Sequence, residues 1–289
     1  MDNFQVYKDI EARTGGEIYI GVAGPVRTGK STFIKRFMEL MVLPKLPEGH
    51  LKAIARDELP QSAAGKTIMT TEPKFIPKEA AEIALEDGIT ARVRLVDCVG
   101  YLVEGALGGM EGDTPRMVST PWQEDPMTLA EAAEIGTHKV IGEHSTIGLV
   151  VTTDGSFTEL PREAYIPAEK RVIEELQSLG KPFLVLVNSS EPNGEAAQRV
   201  CDELQSQYGI APIAVNCLEL DESGIADILQ QVLYEFPVCE IGFVLPRYIG
   251  TLPLHHPVQN SIYQCIRTAA ANGEKMRDVQ KLCRTLEEN

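Results

Sequence analysis

Apolar residues along the chain gather into two kinds of run that take turns. EIYIGVAG (17–24), STIGLVVTT (145–153), KPFLVLVN (181–188) and APIAVNC (211–217) are short and nearly continuous. A strand buried on both faces reads this way, because neither face needs polar residues. The segments between them are longer and space their apolar residues three and four positions apart. They are STFIKRFMELMVL (31–43, stopped by Pro44), 128–143, AEKRVIEELQSLG (168–180), GEAAQRVCDELQSQYG (194–209) and SGIADILQQVLYEF (223–236). That spacing predicts amphipathic helices. Strand and helix in alternation predict an α/β fold, a mostly parallel sheet with helices on both faces. AAEIALEDGITARVRLVD (80–97) predicts two strands joined at Asp87-Gly88, a hairpin signal.

The remaining segments are less regular. Residues Phe4 to Ala12 form a short amphipathic stretch, broken at Gly15-Gly16. Lys45 to Thr71 is polar with little periodicity and is expected to be a mobile loop. Tyr101 to Pro126 is a Gly- and Pro-rich insertion. The alternation stops near Pro237, so a domain is expected over 1–237. Residues 238–289 are then a linker and C-terminal helical segment, the expected start of a truncated middle domain. They offer a strand-like piece after Val238, a Pro-rich link around Pro253 and Pro257, and a helix carrying Ile262, Ile266, Met276, Val279 and Leu282.

Charge narrows the function. The 289-residue chain has a formal net charge of −15, which repels nucleic acid and excludes nonspecific binding to it. Its six cysteines form no C-x-x-C pair, as expected of a reducing cytosol and not of a disulfide framework or zinc site. No apolar run approaches the roughly 18 residues of a transmembrane helix, and the N-terminus has no apolar core of a signal peptide. The expectation is a cytoplasmic protein whose membrane contact is peripheral. His255-His256 reads as surface linker and Cys98 as buried packing.

Candidate chemistry begins at GPVRTGKS, Gly24 to Ser31, which matches G-x-x-x-x-G-K-[ST] between a predicted strand and a predicted helix. The backbone of Gly24, Pro25, Val26, Arg27, Thr28 and Gly29 is expected to cradle phosphates, helped by the positive end of the following helix. Lys30 would reach the β- and γ-phosphates, Ser31 would offer its hydroxyl to Mg²⁺, and Thr32 would touch the α-phosphate. A second anchor is RLVDCVGY (94–101). Asp97 ends a strand, as the Mg²⁺-holding carboxylate of phosphate-loop NTPases does, and Gly100 is placed to sense the γ-phosphate. Between the two, KTIMTTEP (66–73) brings Thr70 and Thr71, either of which could bind the metal and order a switch in the triphosphate state. The position after D-x-x-G, where Ras-like switches carry a water-orienting Gln, is Tyr101. This predicts slow turnover or another water-positioning group, with Gln61 and Arg27 as candidates.

The base-reading corner is FLVLVNSSE (183–191). Guanine readers end this strand in Asn-Lys-x-Asp. Here Asn188 is followed by Ser189, Ser190 and Glu191, and the later candidate turn is Asn216-Cys217-Leu218. The stacking Lys is absent and Glu191 is one methylene longer than Asp. Loss of a buried hydrogen-bonding partner removes discrimination, so ATP is favoured over GTP. Two alternatives stay open: a GTPase switch, and a scaffold or short paralogue that binds nucleotide and regulates assembly without efficient hydrolysis.

Taken together, DIEARTGGEIYIGVAGPVRTGKSTFIKRFMELMVLP, DELPQSAAGKTIMTTEPKF, RLVDCVGY, PRMVSTPW, EAAEIGTHKVIGEHSTIGLVVTTDG and RVIEELQSLGKPF resemble the stage IV sporulation protein A family of endospore-forming bacteria. The resemblance is dense over about 7–237. It implies a phosphate-loop NTPase of the translation-factor GTPase (TRAFAC) type that hydrolyses ATP with Mg²⁺, using Lys30, Thr70, Thr71 and Asp97. It further implies self-association into the basal layer of the spore coat. That layer lies in the mother-cell cytoplasm at the outer forespore membrane. A small amphipathic anchoring peptide and other coat proteins are the implied partners.

Overall fold

The computed structural model of the chain describes residues 17–46, 48–59, 73–84, 90–106, 109–111, 114–120, 123–253, 256–271 and 273–288. The chain divides into two compact units, Met1–Val232 and Leu233–Asn289. Ten strands are described: β1 Glu17–Ala23, β2 Lys74–Ala84, β3 Thr90–Asp97, β4 Met110–Glu111, β5 Thr114–Pro115, β6 Met117–Thr120, β7 Gln123–Thr128, β8 Ile147–Thr153, β9 Phe183–Asn188 and β10 Ile213–Val215. The helices are α1 Lys30–Phe37, α2 His50–Asp57, α3 Leu129–Lys139, α4 Arg162–Ser178, α5 Glu195–Tyr208, α6 Glu222–Tyr234, α7 Arg247–Thr251, α8 Pro257–Ala270 and α9 Val279–Glu288.

The main sheet runs β10-β9-β8-β1-β3-β2, parallel throughout except for the antiparallel edge pair β2 and β3. The continuous apolar runs sit at its centre, where β8 and β9 are buried at every position. Alternate residues feed two half-cores. One side gathers Ala23, Val96, Val150 and Val185 with Val140 and Ile141 after α3, Tyr165, Val172 and Leu176 of α4, and Val200 and Leu204 of α5. On the other side lie Ile18, Ile20 and Val22 of β1, and α1 buries Phe33, Ile34 and Phe37. The α/β architecture read from the hydrophobic pattern is therefore the observed one.

Several local expectations change. The helix after Lys30 stays α-helical only to Phe37, then widens into a π turn, Met38–Val42, and tightens into a 3-10 turn, Leu43–Lys45. Pro44 has no amide with which to extend the ladder, and the wide turn aims Met38, Met41 and Val42 inward. Part of the expected loop 45–71 is helix α2. Strand β2 begins at Lys74, ahead of the expected Ala80, and runs through Pro77. An edge strand tolerates the missing donor, and the register breaks between Ile76 and Ala81. The Asp87-Gly88 turn and the stretch Phe4 to Ala12 lie outside the described residues. The insertion after Tyr101 contains two short antiparallel pairs, β4 with β5 and β6 with β7. Thr128 is the N-cap of α3, its hydroxyl accepting from the Glu131 amide in a capping box.

In the unit Leu233–Asn289 the expected strand after Val238 does not form among the described residues. The Val238 amide instead donates to Glu274 O at 2.9 Å. The single expected C-terminal helix is two, α8 and α9, separated around Gly273 by a 3-10 turn, Met276–Asp278. Buried Glu235 is matched by Lys275 at 2.6 Å and Arg277 at 2.7 Å.

The packing makes a direct prediction. Phe33 is fully buried beneath the phosphate loop's helix. Phe33→Ala should lower stability by about 3–5 kcal/mol, measured as a shift of the urea midpoint at unchanged slope. A loss below about 1 kcal/mol would contradict the packing described.

Candidate functional site

The parallel strands end along one edge. Register pairs Val22 with Asp97, Thr153 with Asn188, and Val215 with Asn188. The loops 24–29, 98–101, 154–161, 189–194 and 216–221 therefore open on the same side, where ligands bind in open α/β sheets.

The loop from Gly24 to Gly29 is held in unusual backbone angles. Gly24 has φ 133°, Arg27 has φ 65° and Gly29 has φ 98°. A Cβ on Gly29 would collide with the Asn188 side-chain nitrogen, so this position must be glycine. The loop is braced from within by Thr28, whose buried hydroxyl donates to Pro25 O at 3.0 Å. It is braced from outside by Val26, whose amide donates to Tyr101 O at 2.9 Å. Ser31 is exposed and Thr32 half-buried in the first turn of α1. The first amides of a helix have no partner within it, so this end can receive an anion.

Lys30 is 5% exposed. Its ammonium donates to Gly24 O at 3.2 Å and Pro25 O at 2.6 Å. Burial lowers its pKa, opposed by Cys98 and Asp97. Asp97 shows the complementary effect: burial pushes its carboxyl up to about 6, against the pull of Lys30, the Cys98 amide and Lys74. Its Oδ1 is buried and has no hydrogen-bond partner among the described residues. Gly100, at φ 85°, closes the pocket. A Cβ there would meet Gly24 O and lie 2.5 Å from the Lys30 nitrogen.

An orphaned carboxylate oxygen at the strand end, with an exposed serine hydroxyl in the first turn of α1, suits a magnesium ion that shares its coordination with phosphates and water. Among the described residues no group of three His, Cys, Asp or Glu could hold a metal alone. Thr70, Thr71 and Gln61 lie outside the described residues.

Tyr101 is committed elsewhere. Its ring is buried in the core, its hydroxyl donates to a Glu175 oxygen, and Arg171 covers the ring at 4.9 Å. The other Glu175 oxygen meets His138 Nδ1. Burial and then Glu175 push the phenol's pKa up, which keeps it protonated. The residue in the water-orienting position is thus a structural clamp between the strand end and α4.

At the base-reading corner Asn188 is a two-sided tie. Its Nδ2 donates to Thr28 O at 3.0 Å, and its Oδ1 accepts from the Cys217 amide at 3.0 Å. Ser189 is 1% exposed, and its hydroxyl donates to Asp154 Oδ2 at 2.6 Å. The Ser156 hydroxyl donates to Asp154 Oδ1 at 2.7 Å and accepts from the Ser190 amide at 2.9 Å. The Glu191 amide donates to the Ser189 hydroxyl at 3.0 Å, and the Glu191 residue is exposed. Asp154 was not among the sequence candidates. Its signal was its place at a strand end, in TTDG, on the same edge as Asp97.

Asp97 yields a prediction of opposite sign at two steps. Its folded-state pKa lies above the ordinary 3.8, so ionised Asp97 opposes folding above about pH 6. The penalty, on the order of 2–3 kcal/mol in full, fades progressively as pH falls from about 6 to the ordinary 3.8. Asp97→Asn should raise the thermal midpoint of the nucleotide-free protein by a few degrees at pH 7, and less at pH 5. The same variant should lose the extra stabilisation that Mg²⁺ with ATP gives the wild type. A variant less stable than wild type without nucleotide would contradict the strained carboxylate.

Residues 1–237 match the family model described as stage IV sporulation protein A, ATPase domain. The stage IV sporulation protein A of Bacillus subtilis (strain 168) is 48% identical over 282 residues, covering 98% of this chain and 57% of the relative. That of Clostridioides difficile (strain 630) is 48% identical over 278 residues, covering 96% of this chain and 57% of the relative. The Bacillus anthracis protein is 47% identical over 282 residues, covering 98% of this chain. The chain thus spans 57% of the length of these relatives. It belongs to the stage IV sporulation protein A family.

Proposed function

We propose that the chain hydrolyses ATP with Mg²⁺, and that the ensuing conformational change drives self-assembly of a basal layer of the spore coat. The observation that carries the hydrolysis reading is the buried Lys30 ammonium, resting on two loop carbonyls beside the unpartnered oxygen of Asp97. Phosphate oxygens are better partners for this ammonium than carbonyls, and Lys30 can follow them as charge builds in the transition state. Ser31, Asp97 and one of Thr70 and Thr71 would hold the magnesium ion, which neutralises charge on the β- and γ-phosphates when bound. Gly100, having no side chain, lets the Lys30 ammonium and the Gly24 carbonyl approach and would sense the γ-phosphate.

Adenine is the favoured base. A guanine site would stack a lysine stem over the ring, and here Ser189 is short and turned to Asp154. Asn188 keeps the structural half of the base corner, holding it to the phosphate loop. Glu191 remains the carboxylate nearest in sequence to the guanine-reading position, and a GTPase switch is the second reading it supports.

The assembly half rests on family resemblance: self-association, an amphipathic anchoring peptide, other coat proteins, and a mother-cell location at the outer forespore membrane. No described helix is long and apolar enough to cross a membrane. The boundary at 237 between ATPase domain and C-terminal segment is likewise proposed.

Phosphate release from purified protein tests the chemistry. Wild type should turn over ATP, retain most of that rate with equimolar GTP present, and lose at least about 100-fold in kcat on Lys30→Ala. Asp97→Ala should fail similarly. Preference for GTP would move the chain to the GTPase reading. Equal inactivity of wild type and both variants would leave only a nucleotide-binding scaffold.

A further inference from the structure

Arg27 is a residue that the loop's architecture does not need. Its φ of 65° is the left-handed conformation, which disfavours any side chain by about 1–2 kcal/mol and suits glycine. Such an outlier, when kept by its surroundings, points to a role for the side chain. It lies between buried Val26 and buried Thr28, three residues before Lys30, so its backbone is fixed at the phosphate cradle.

The guanidinium is poorly partnered. Nη2 is buried and has no hydrogen-bond partner among the described residues. Nη1 faces Glu159 of the 154–161 loop at 3.9 Å, beyond hydrogen-bond reach, and that glutamate side chain is 81% exposed. A pair of this length, with its carboxylate in solvent, contributes about 0–1 kcal/mol. The cation is therefore close to the cradle, incompletely satisfied and cheap to release.

The chemistry lacks the charge such a group would bring. Tyr101 is tied to Glu175 and cannot orient water. In phosphoryl transfer charge spreads over the γ-phosphate oxygens, and a planar guanidinium matches two of them at once. Resting on the ATPase reading above, we propose that Arg27 is a catalytic residue, an arginine finger supplied in cis. On ATP binding it leaves Glu159 and sets its guanidinium against the β,γ-bridging and γ-phosphate oxygens. The water oxygen forms the new bond to the γ-phosphorus as the bond from phosphorus to the bridging oxygen breaks. The electron pair stays on ADP; one water proton remains on the released phosphate and the other goes to solvent.

The test separates this role from ground-state charge neutralisation. Arg27→Ala should lower kcat by about 10³-fold while leaving KM little changed. Arg27→Gly removes the strained conformation as well, so it should melt no lower than wild type yet lose the same kcat. Arg27→Lys should recover only a small part, lacking the fork. ADP with aluminium fluoride should be captured by wild type and not by Arg27→Ala, with ADP affinity equal in both. Glu159→Gln should match or exceed the wild-type rate, and have no effect in the Arg27→Ala background. Unchanged kcat with raised KM in Arg27→Ala and Arg27→Gly would overturn the finger and leave the ATPase reading intact. A wild type that binds ATP without hydrolysing it would overturn both.

Discussion

An ammonium that is almost wholly buried sets the terms for everything around it. Lys30 and Asp97 attract each other, yet the lysine's pKa is lowered and the aspartate's raised to about 6, with burial the leading cause for both. Their mutual attraction does not repay the loss of water. Cys98 beside them brings no charge, its thiol pushed up to about 11 by burial. The pocket is thus short of negative charge near the lysine and short of a cation or donor near Asp97 Oδ1. A triphosphate with its metal would supply both at once, and the fold keeps the deficit open until then. Gly100 fits this constraint, since any side chain there would run into the lysine.

The same edge is held together by one amide side chain. Asn188 binds Thr28 O on one side and the Cys217 amide on the other, so it ties the phosphate loop, β9 and the turn after β10 together. Position 189, where guanine readers carry a lysine, is a serine. A short hydroxyl network runs from Ser189 through Asp154 to Ser156 and the Ser190 amide. It pairs the buried Ser189 hydroxyl and both Asp154 carboxylate oxygens. Glu159 of the same loop reaches toward Arg27. The segment after β8 therefore meets both the end of β9 and the Gly24–Gly29 loop.

Much of this was legible in the residues because the strong signals are local. Continuous apolar runs gave the buried strands, and Gly24 to Ser31 carried its own context of strand before and helix after. Asp97 and Asn188 were recognisable as polar residues ending apolar strands. What stayed hidden depends on partners distant in sequence. Tyr101 could be seen to replace a glutamine, but its commitment to Glu175 spans 74 positions. Asp154 has no motif of its own, and its role comes from Ser189, 35 positions on. Local propensity misled at Met38–Val42, where packing and Pro44 widen the helix, and at Pro77, which only an edge strand could absorb.

The most direct measurement is a structure of the chain with Mg²⁺ and a non-hydrolysable ATP analogue. The Lys30 nitrogen should have left the Gly24 and Pro25 carbonyls for the β- and γ-phosphate oxygens, with the metal near Ser31 and Asp97 and adenine at the Asn188–Glu191 corner. A nucleotide bound elsewhere, or one at the loop with Lys30 still on its two carbonyls, would contradict the central claim.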